Sequence, residues 1–122
     1  MTRRLVIIED DQWLSESYSR IARAAGYEVF AASDADRAID VIDAHQPDVI
    51  MLDMLLRRTT GMALLHELQS HVDLARIPVV IVSSMADRLE QEKLIHYGVR
   101  QVLDKESVTP QEMLQVVSEA IG

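Results

Sequence analysis

The sequence contains no cysteine, which excludes disulfide bridges, thiolate metal ligands and thiol catalysis. It has only four glycines and three prolines in 122 residues, and these form neither a phosphate-binding loop nor a proline-rich linker. Its apolar runs are too short for a membrane helix or for the core of a signal peptide. We therefore expect a soluble, cytoplasmic protein that does not engage a membrane.

Positive charge is scarce as well, with 12 Lys and Arg against 20 Asp and Glu, a net charge of −8 and a pI near 4.8. An acidic chain with scattered cations is poorly suited to bind nucleic acid directly. Apolar residues make up 48% of the chain, as in ordinary globular proteins. The length suits one hydrophobic core, so residues 1–122 are expected to form a single domain.

Short apolar runs alternate with segments of helical periodicity. The strand candidates are residues 5–8, 49–52 and 79–82, with weaker ones at 29–32 and 102–103. The first three are apolar at every position, which is typical of strands covered on both faces of a parallel sheet. The two weaker strands carry more polar residues and are expected at the sheet edges.

Five helices are predicted between and after these strands. They run from Trp13 to Ala25, from Asp34 to His45, from Gly61 to about His71, from about Asp87 to Tyr97, and onward from Pro110. Ser33 is the expected N-cap of the second helix, and Thr109 with Glu112 forms a capping box at the start of the fifth. The alternation predicts a doubly wound, flavodoxin-like α/β fold, with helices on both faces of a five-stranded parallel sheet of order 2-1-3-4-5.

Chemically active side chains follow four of the five strands. Glu9 and Asp10 follow the first strand, Asp53 the third, Ser83 the fourth and Lys105 the fifth. In a parallel sheet these ends share one edge, which is where open α/β sheets bind ligands. Crowded carboxylates need a cation or a proton, and all-oxygen ligands suit Mg²⁺, with Mn²⁺ as the other candidate. Together with a hydroxyl and an ammonium group, they predict phosphoryl transfer to the central carboxylate, that of Asp53.

The whole chain resembles a response-regulator receiver domain of two-component signalling, of the chemotaxis-regulator type. The resemblance rests on LVIIEDD near the start, DVIMLD ending at Asp53, Gly61 eight residues later, PVVIVSS, and the seven-residue step from Gly98 to Lys105. It implies that Asp53 is the phosphoacceptor. It also implies that the phosphoryl group comes from a sensor histidine kinase, a phosphotransfer protein or a small phosphodonor.

The resemblance also assigns roles to the other residues at this edge. Asp10 and the phosphoacceptor would bind Mg²⁺ directly, Glu9 would act through water, and the backbone carbonyl of Leu55 would be a further ligand. Ser83 would hydrogen-bond the phosphoryl group, and Lys105 would pair with it. Such a domain speeds its own phosphorylation and hydrolysis but is not an enzyme that acts on a separate substrate.

The family transmits phosphorylation to the face formed by the fourth helix, fifth strand and fifth helix, which is also a surface through which two copies could pair. The cognate kinase and the downstream protein or effector domain are left open by the sequence. Ser83 and Val102 occupy the switch positions, but Val102 replaces the usual aromatic residue, so a rotating ring is excluded. Glu106 replaces the usual proline after the lysine, and Arg57 replaces another after the phosphoacceptor. The Lys105–Glu106 bond is therefore expected to be trans.

These departures keep an alternative open, a receiver-fold interaction module whose output does not depend on phosphorylation. A phosphatase is disfavoured because Leu55 occupies the place of its general acid. His66 and His71 are five residues apart, which puts them on different sides of a helix and argues against a zinc site. His45, at the end of a helix, is expected to interact with the helix dipole rather than with a metal.

Overall fold

The computed structural model describes residues 2–56, 59–86 and 89–122. The elements follow in strict alternation: β1 (Arg4–Ile8), α1 (Gln12–Ala24), β2 (Glu28–Ala32), α2 (Ala35–His45), β3 (Val49–Leu52), α3 (Gly61–Gln69), β4 (Val79–Ser83), α4 (Gln91–Leu94), a 3₁₀ turn (Ile95–Tyr97), β5 (Val99–Asp104) and α5 (Pro110–Ile121). No helix among the described residues is long and apolar enough to cross a membrane.

The five strands form one parallel sheet of order β2-β1-β3-β4-β5, which confirms the predicted fold class. The central strands are apolar because both of their faces are covered. Every residue of β3 and β4 is buried, and residues 5–8 of β1 are at most 1% exposed. Burial of each such aliphatic side chain contributes about 1.5–3 kcal/mol.

Alternating side chains of the strands feed two separate cores. One core includes Leu5, Ile7 and Met51 and packs against α1 and α5, with Tyr18 and Met113 among its helical members. The other packs against α2, α3 and α4 and includes the residues Val6, Ile8, Ile50, Leu52, Ile42, Leu65 and Leu94. Two covered faces leave the carboxyl ends of the strands as the accessible edge of the sheet.

The helix caps agree with the sequence prediction in one helix and correct it in another. At α5, Thr109 Oγ1 accepts from Glu112 N at 3.1 Å and Thr109 N donates to Glu112 Oε1 at 3.3 Å, which confirms the capping box. At α2 the prediction of Ser33 was wrong by one residue. The cap is Asp34, whose Oδ1 accepts from Arg37 N at 2.9 Å, because its extended backbone places a carboxylate over the first turn.

The fourth helix differs most from the prediction. The expected helix runs from about Asp87 to Tyr97, but its described part, residues 89–97, contains one α-turn, Gln91–Leu94, followed by the 3₁₀ turn. Residues 87 and 88 lie outside the described residues. Glu90 stands at the N-cap without a side-chain capping bond, and Gly98, with φ of 79°, ends the segment. The irregular apolar spacing in this segment supports only a short helix.

Candidate functional site

Three carboxylates meet at the carboxyl edge of the sheet. One ligand oxygen from each of Glu9, Asp10 and Asp53 lies within 4.8 Å of the other two. The register brings two of them together, because Ile8 of β1 pairs with Leu52 of β3. The residues that follow this pair, Glu9 and Asp53, therefore lie side by side. Asp53 N also donates to the Ile8 carbonyl at 3.0 Å. Glu9 and Asp53 are buried, at 3% and 4% exposure, so their charges need compensation.

Lys105 supplies this compensation from the far side of β4. Its Nζ lies 2.7 Å from Glu9 Oε1 and 2.9 Å from Asp53 Oδ2. The loop between β5 and α5 begins with a hydrogen bond from Lys105 N to the Ser83 carbonyl at 3.1 Å. This bond holds the backbone of Lys105 beside the end of β4. The sequence predicted that Lys105 would reach the region of Asp53, but it gave no contact with Glu9. The number of acids at this edge was a signal that could have suggested it.

Burial and hydrogen bonding at this edge shift the pKa values of Glu9 and Lys105. Burial raises the pKa of Glu9 to about 7, even though the hydrogen bond from Lys105 acts in the opposite direction. Burial alone would lower the pKa of Lys105, but its hydrogen bonds to Glu9 and Asp53 outweigh burial and raise it. Lys105 is therefore a permanent cation at neutral pH and holds the side chains of Glu9 and Asp53 together.

The Asp53 carboxylate is held from two directions. Its Oδ2 accepts from Lys105, and its Oδ1 accepts from the backbone N–H of Leu55 at 3.1 Å. Leu55 forms an isolated antiparallel bridge with Thr60, which ties the backbone after Asp53 to the N-cap residue of α3. The Leu55 side chain is 50% exposed beside the site. The carboxylate therefore has a fixed orientation before any ligand arrives.

Close packing next to Asp53 also depends on Gly61. Gly61 N donates to the Met54 carbonyl at 2.9 Å. A Cβ on Gly61 would lie 2.6 Å from Met54 Sδ, 2.8 Å from Met54 Cα and 3.1 Å from the Asp53 carbonyl oxygen. No side chain fits there, so the glycine is required by close approach of α3 to the residue that follows Asp53.

Ser83 lies at the end of β4, opposite Asp104 of β5, and is fully buried. Its Oγ accepts from the backbone N–H of Met85 at 3.3 Å. Val102, at 9% exposure, pairs with Ile81 and packs in the core that contains Leu94. The two residues proposed as switch positions thus lie on neighbouring strands, Ser83 at the carboxyl end of β4 and Val102 in the core.

The remaining predicted features are distributed around this edge. The described residues contain no cis peptide bond, so the expectation of a trans bond between Lys105 and Glu106 is confirmed. Arg57 falls outside the described residues. His71 lies beyond the end of α3, so the two histidines are not on one helix at all. His66 instead packs edge-on against Tyr97, with ring centroids 4.8 Å apart, and His45, in the last turn of α2, stacks on Phe30.

A parallel sheet of order 2-1-3-4-5 with an acidic cluster and a lysine at its carboxyl edge is the architecture of a receiver domain, and the cluster fits a phosphoacceptor site. The family model described as "Response regulator receiver domain" matches residues 5–118. The chain therefore belongs to the receiver-domain family of two-component signalling, as the sequence motifs predicted.

Relatives of known name and structure agree with this assignment. The polar-differentiation response regulator DivK of Brucella ovis is 25% identical over 122 residues, covering 100% of this chain and 98% of that protein. A putative response regulator from Chloroflexus aurantiacus superimposes with a TM-score of 0.85 at 26% identity, over 99% of this chain and 98% of the other. The chemotaxis protein CheY4 of Vibrio cholerae, at 18% identity, shares the fold with a TM-score of 0.89 over 98% and 99% of the two chains.

Proposed function

We propose that this receiver domain is a phosphoacceptor module that takes a phosphoryl group onto Asp53. The donor is the phosphohistidine of a sensor histidine kinase or phosphotransfer protein, or a small phosphodonor. The observation that supports this most directly is the convergence of an ammonium group and three carboxylates at the carboxyl edge of the sheet, with Asp53 at its centre. A purely structural ion pair would require one acid, whereas Lys105 contacts two and a third lies beside them.

In the proposed reaction an Asp53 carboxylate oxygen attacks phosphorus while the phosphorus–nitrogen bond of the donor breaks. The electron pair of that bond stays with the imidazole, which takes up a proton. The Leu55 N–H and Lys105 already fix the attacking carboxylate, so it loses little orientational entropy when the donor binds. Lys105 would then face the transferred phosphoryl group, and it can neutralise part of the negative charge that develops on the phosphoryl oxygens. The hydroxyl of Ser83 is the proposed hydrogen-bond donor to the same group.

The acid cluster also fits a divalent cation, because three carboxylate oxygens within 4.8 Å of one another form an all-oxygen donor set. Asp10 and Asp53 would hold Mg²⁺ directly, Glu9 through a water molecule, and the Leu55 carbonyl would complete the protein ligands. Mn²⁺ accepts the same donors. The cation would supply positive charge opposite Lys105, so that the phosphoryl oxygens are neutralised from both sides.

The domain would carry out this reaction only on itself, so we propose no enzyme activity toward a separate substrate. A donor protein could dock beside Lys105, where α1 and α5 form a groove of about 230 Å³ with Leu14, Ile21 and Met113 in its walls. We call this opening the α1–α5 groove. The proposed output surface is the face formed by α4, β5 and α5, through which a downstream protein or a second copy would bind. Direct binding of nucleic acid or membrane forms no part of the proposal.

The test is to incubate the protein with acetyl phosphate and Mg²⁺ and to weigh the intact chain. The wild-type protein should gain one phosphoryl group, and Asp53→Asn should gain none while keeping its fold by circular dichroism. Asp40→Asn is the matched control, because Asp40 is exposed on α2 and should not affect the adduct. A wild-type protein that folds but never gains the adduct would support instead the interaction module with phosphorylation-independent output.

A further inference from the structure

Tyr18 borders the site and carries a phenol group. This phenol has no role in the phosphoryl transfer proposed above. The spacing of Tyr18 with Leu14 and Ile21 on α1 predicts only a core residue. The structure does place Tyr18 in the core beneath α1, at 8% exposure. Its surroundings, however, are not those of an ordinary core residue, because they include the charged groups of the site.

Two openings connect Tyr18 with those groups. A void of about 10 Å³, close to the smallest space that holds a water molecule, is lined by Tyr18 together with Glu9 and Asp53. The α1–α5 groove is lined by Tyr18 together with Lys105. Tyr18 therefore borders both the opening that reaches the two carboxylates and the groove that reaches Lys105.

The phenol remains neutral at this position. Burial raises the pKa of Tyr18, and the charges of Glu9 and Asp53 raise it further, while Lys105 acts against them. A neutral phenol can accept a hydrogen bond through its oxygen and donate one through its O–H. It can therefore accept a hydrogen bond from an ammonium group without adding another buried charge to the site.

Phosphorylation of Asp53 would present the ammonium group of Lys105 with a new set of acceptors. This ammonium group now binds Glu9 and Asp53, but it has three N–H donors and will be attracted to the new phosphoryl oxygens. We propose that Tyr18 is a positioning residue for Lys105, whose phenol oxygen accepts an N–H when the ammonium group turns from Glu9 toward the phosphoryl group. The inference rests on the proposed function, because it concerns the phosphorylated form of the same site.

The test is the rate of adduct formation with acetyl phosphate, followed by intact mass, in Tyr18→Phe. This variant keeps the ring and removes only the hydroxyl. We expect the rate to fall at least about tenfold, the lower end of the range for one hydrogen bond to a charged group, with an unchanged melting temperature. Tyr27→Phe is the matched control, because Tyr27 packs against the same core as Tyr18. This variant should leave the rate unchanged.

Double variants separate positioning from packing. In Lys105→Arg, which keeps a cation and so a measurable rate, adding Tyr18→Phe should have little further effect. In Ser83→Ala, the same addition should again cost at least about tenfold. An unchanged rate in Tyr18→Phe, or equal losses in both backgrounds, would overturn the role of Tyr18. A wild-type protein without any adduct would instead contradict the proposed function, so the two failures are distinguishable.

Discussion

Replacement of Gly61 by alanine is the substitution whose cost can be worked out most directly from the structure. In an ordinary helix this change should stabilise the protein by up to about 1 kcal/mol, because alanine favours helix more than glycine does. Here the new Cβ would lie 2.8 Å from Met54 Cα, which is backbone and cannot turn aside. Since Met54 directly follows Asp53, relieving the contact must move the loop that holds the acceptor.

Overpacking of this kind costs about 1–3 kcal/mol. Unfolding entropy is about 2.1 cal/mol/K per residue, or roughly 0.26 kcal/mol/K for a chain of 122 residues. The melting temperature of Gly61→Ala should therefore fall by about 4–12 °C, measured by circular dichroism, and the rate of Asp53 phosphorylation should fall with it.

A second variant separates the two clashes. Combining Gly61→Ala with Met54→Ala removes the contact with Met54 Sδ at 2.6 Å but leaves the contact with Met54 Cα. The double variant should therefore recover none of the lost stability, and it should lose more because the buried Met54 side chain is also truncated. An unchanged or raised melting temperature in Gly61→Ala alone would refute the steric argument.

Four further outcomes follow from the same site. Millimolar Mg²⁺ should raise the melting temperature by binding only the folded state, and Asp10→Ala should abolish the rise; no shift with Mg²⁺ or Mn²⁺ would contradict the cation site. Without metal, stability should fall as pH rises from about 4.5 to 7, because burial raises the pKa of Glu9 and the folded state binds the extra proton; Glu9→Gln should flatten this part of a pH series of melting temperatures. With beryllofluoride as phosphoryl mimic, amide shifts should extend from Ser83 into residues 89–98, and shifts confined to the acid cluster would argue against this route. Decay of the phosphorylated protein should be slow, because Leu55 and Met85 can neither activate nor orient water, and it should speed up in Leu55→Asn with Met85→Glu; equal decay in both proteins would show that these side chains do not control it.

The sheet and most of the acid cluster were predictable because they depend on local patterns. An apolar run followed at once by an acid marks the end of a buried parallel strand, and the strand order then places Glu9 and Asp53 side by side. The capping box at Thr109 was also predictable, since all its atoms lie within four residues. These features need no knowledge of distant packing.

Features that depend on distant packing were missed. The contact of Lys105 with Glu9 joins β5 to β1 across two intervening strands, so no sequence spacing reports it. The requirement for Gly61 comes from the approach of α3 to Met54, not from a left-handed backbone conformation, so the motif alone did not give its cause. Sequence periodicity likewise overestimated α4, because a few apolar residues were enough to suggest a helix but not to extend it.

The shortness of α4 bears directly on how this receiver would transmit a signal. Val102 cannot supply a rotating ring, and it is already buried against Ile81 and the core that holds Leu94. The Ser83 hydroxyl, by contrast, holds the start of the following loop through the Met85 N–H. Because the hydroxyl can donate to a phosphoryl group while it still accepts from Met85, a phosphoryl group that attracts it would draw residues 84–86 toward the site. Because α4 has a single α-turn and no side-chain cap, rearranging it would break few bonds, so a short helix can replace the aromatic residue as the movable part.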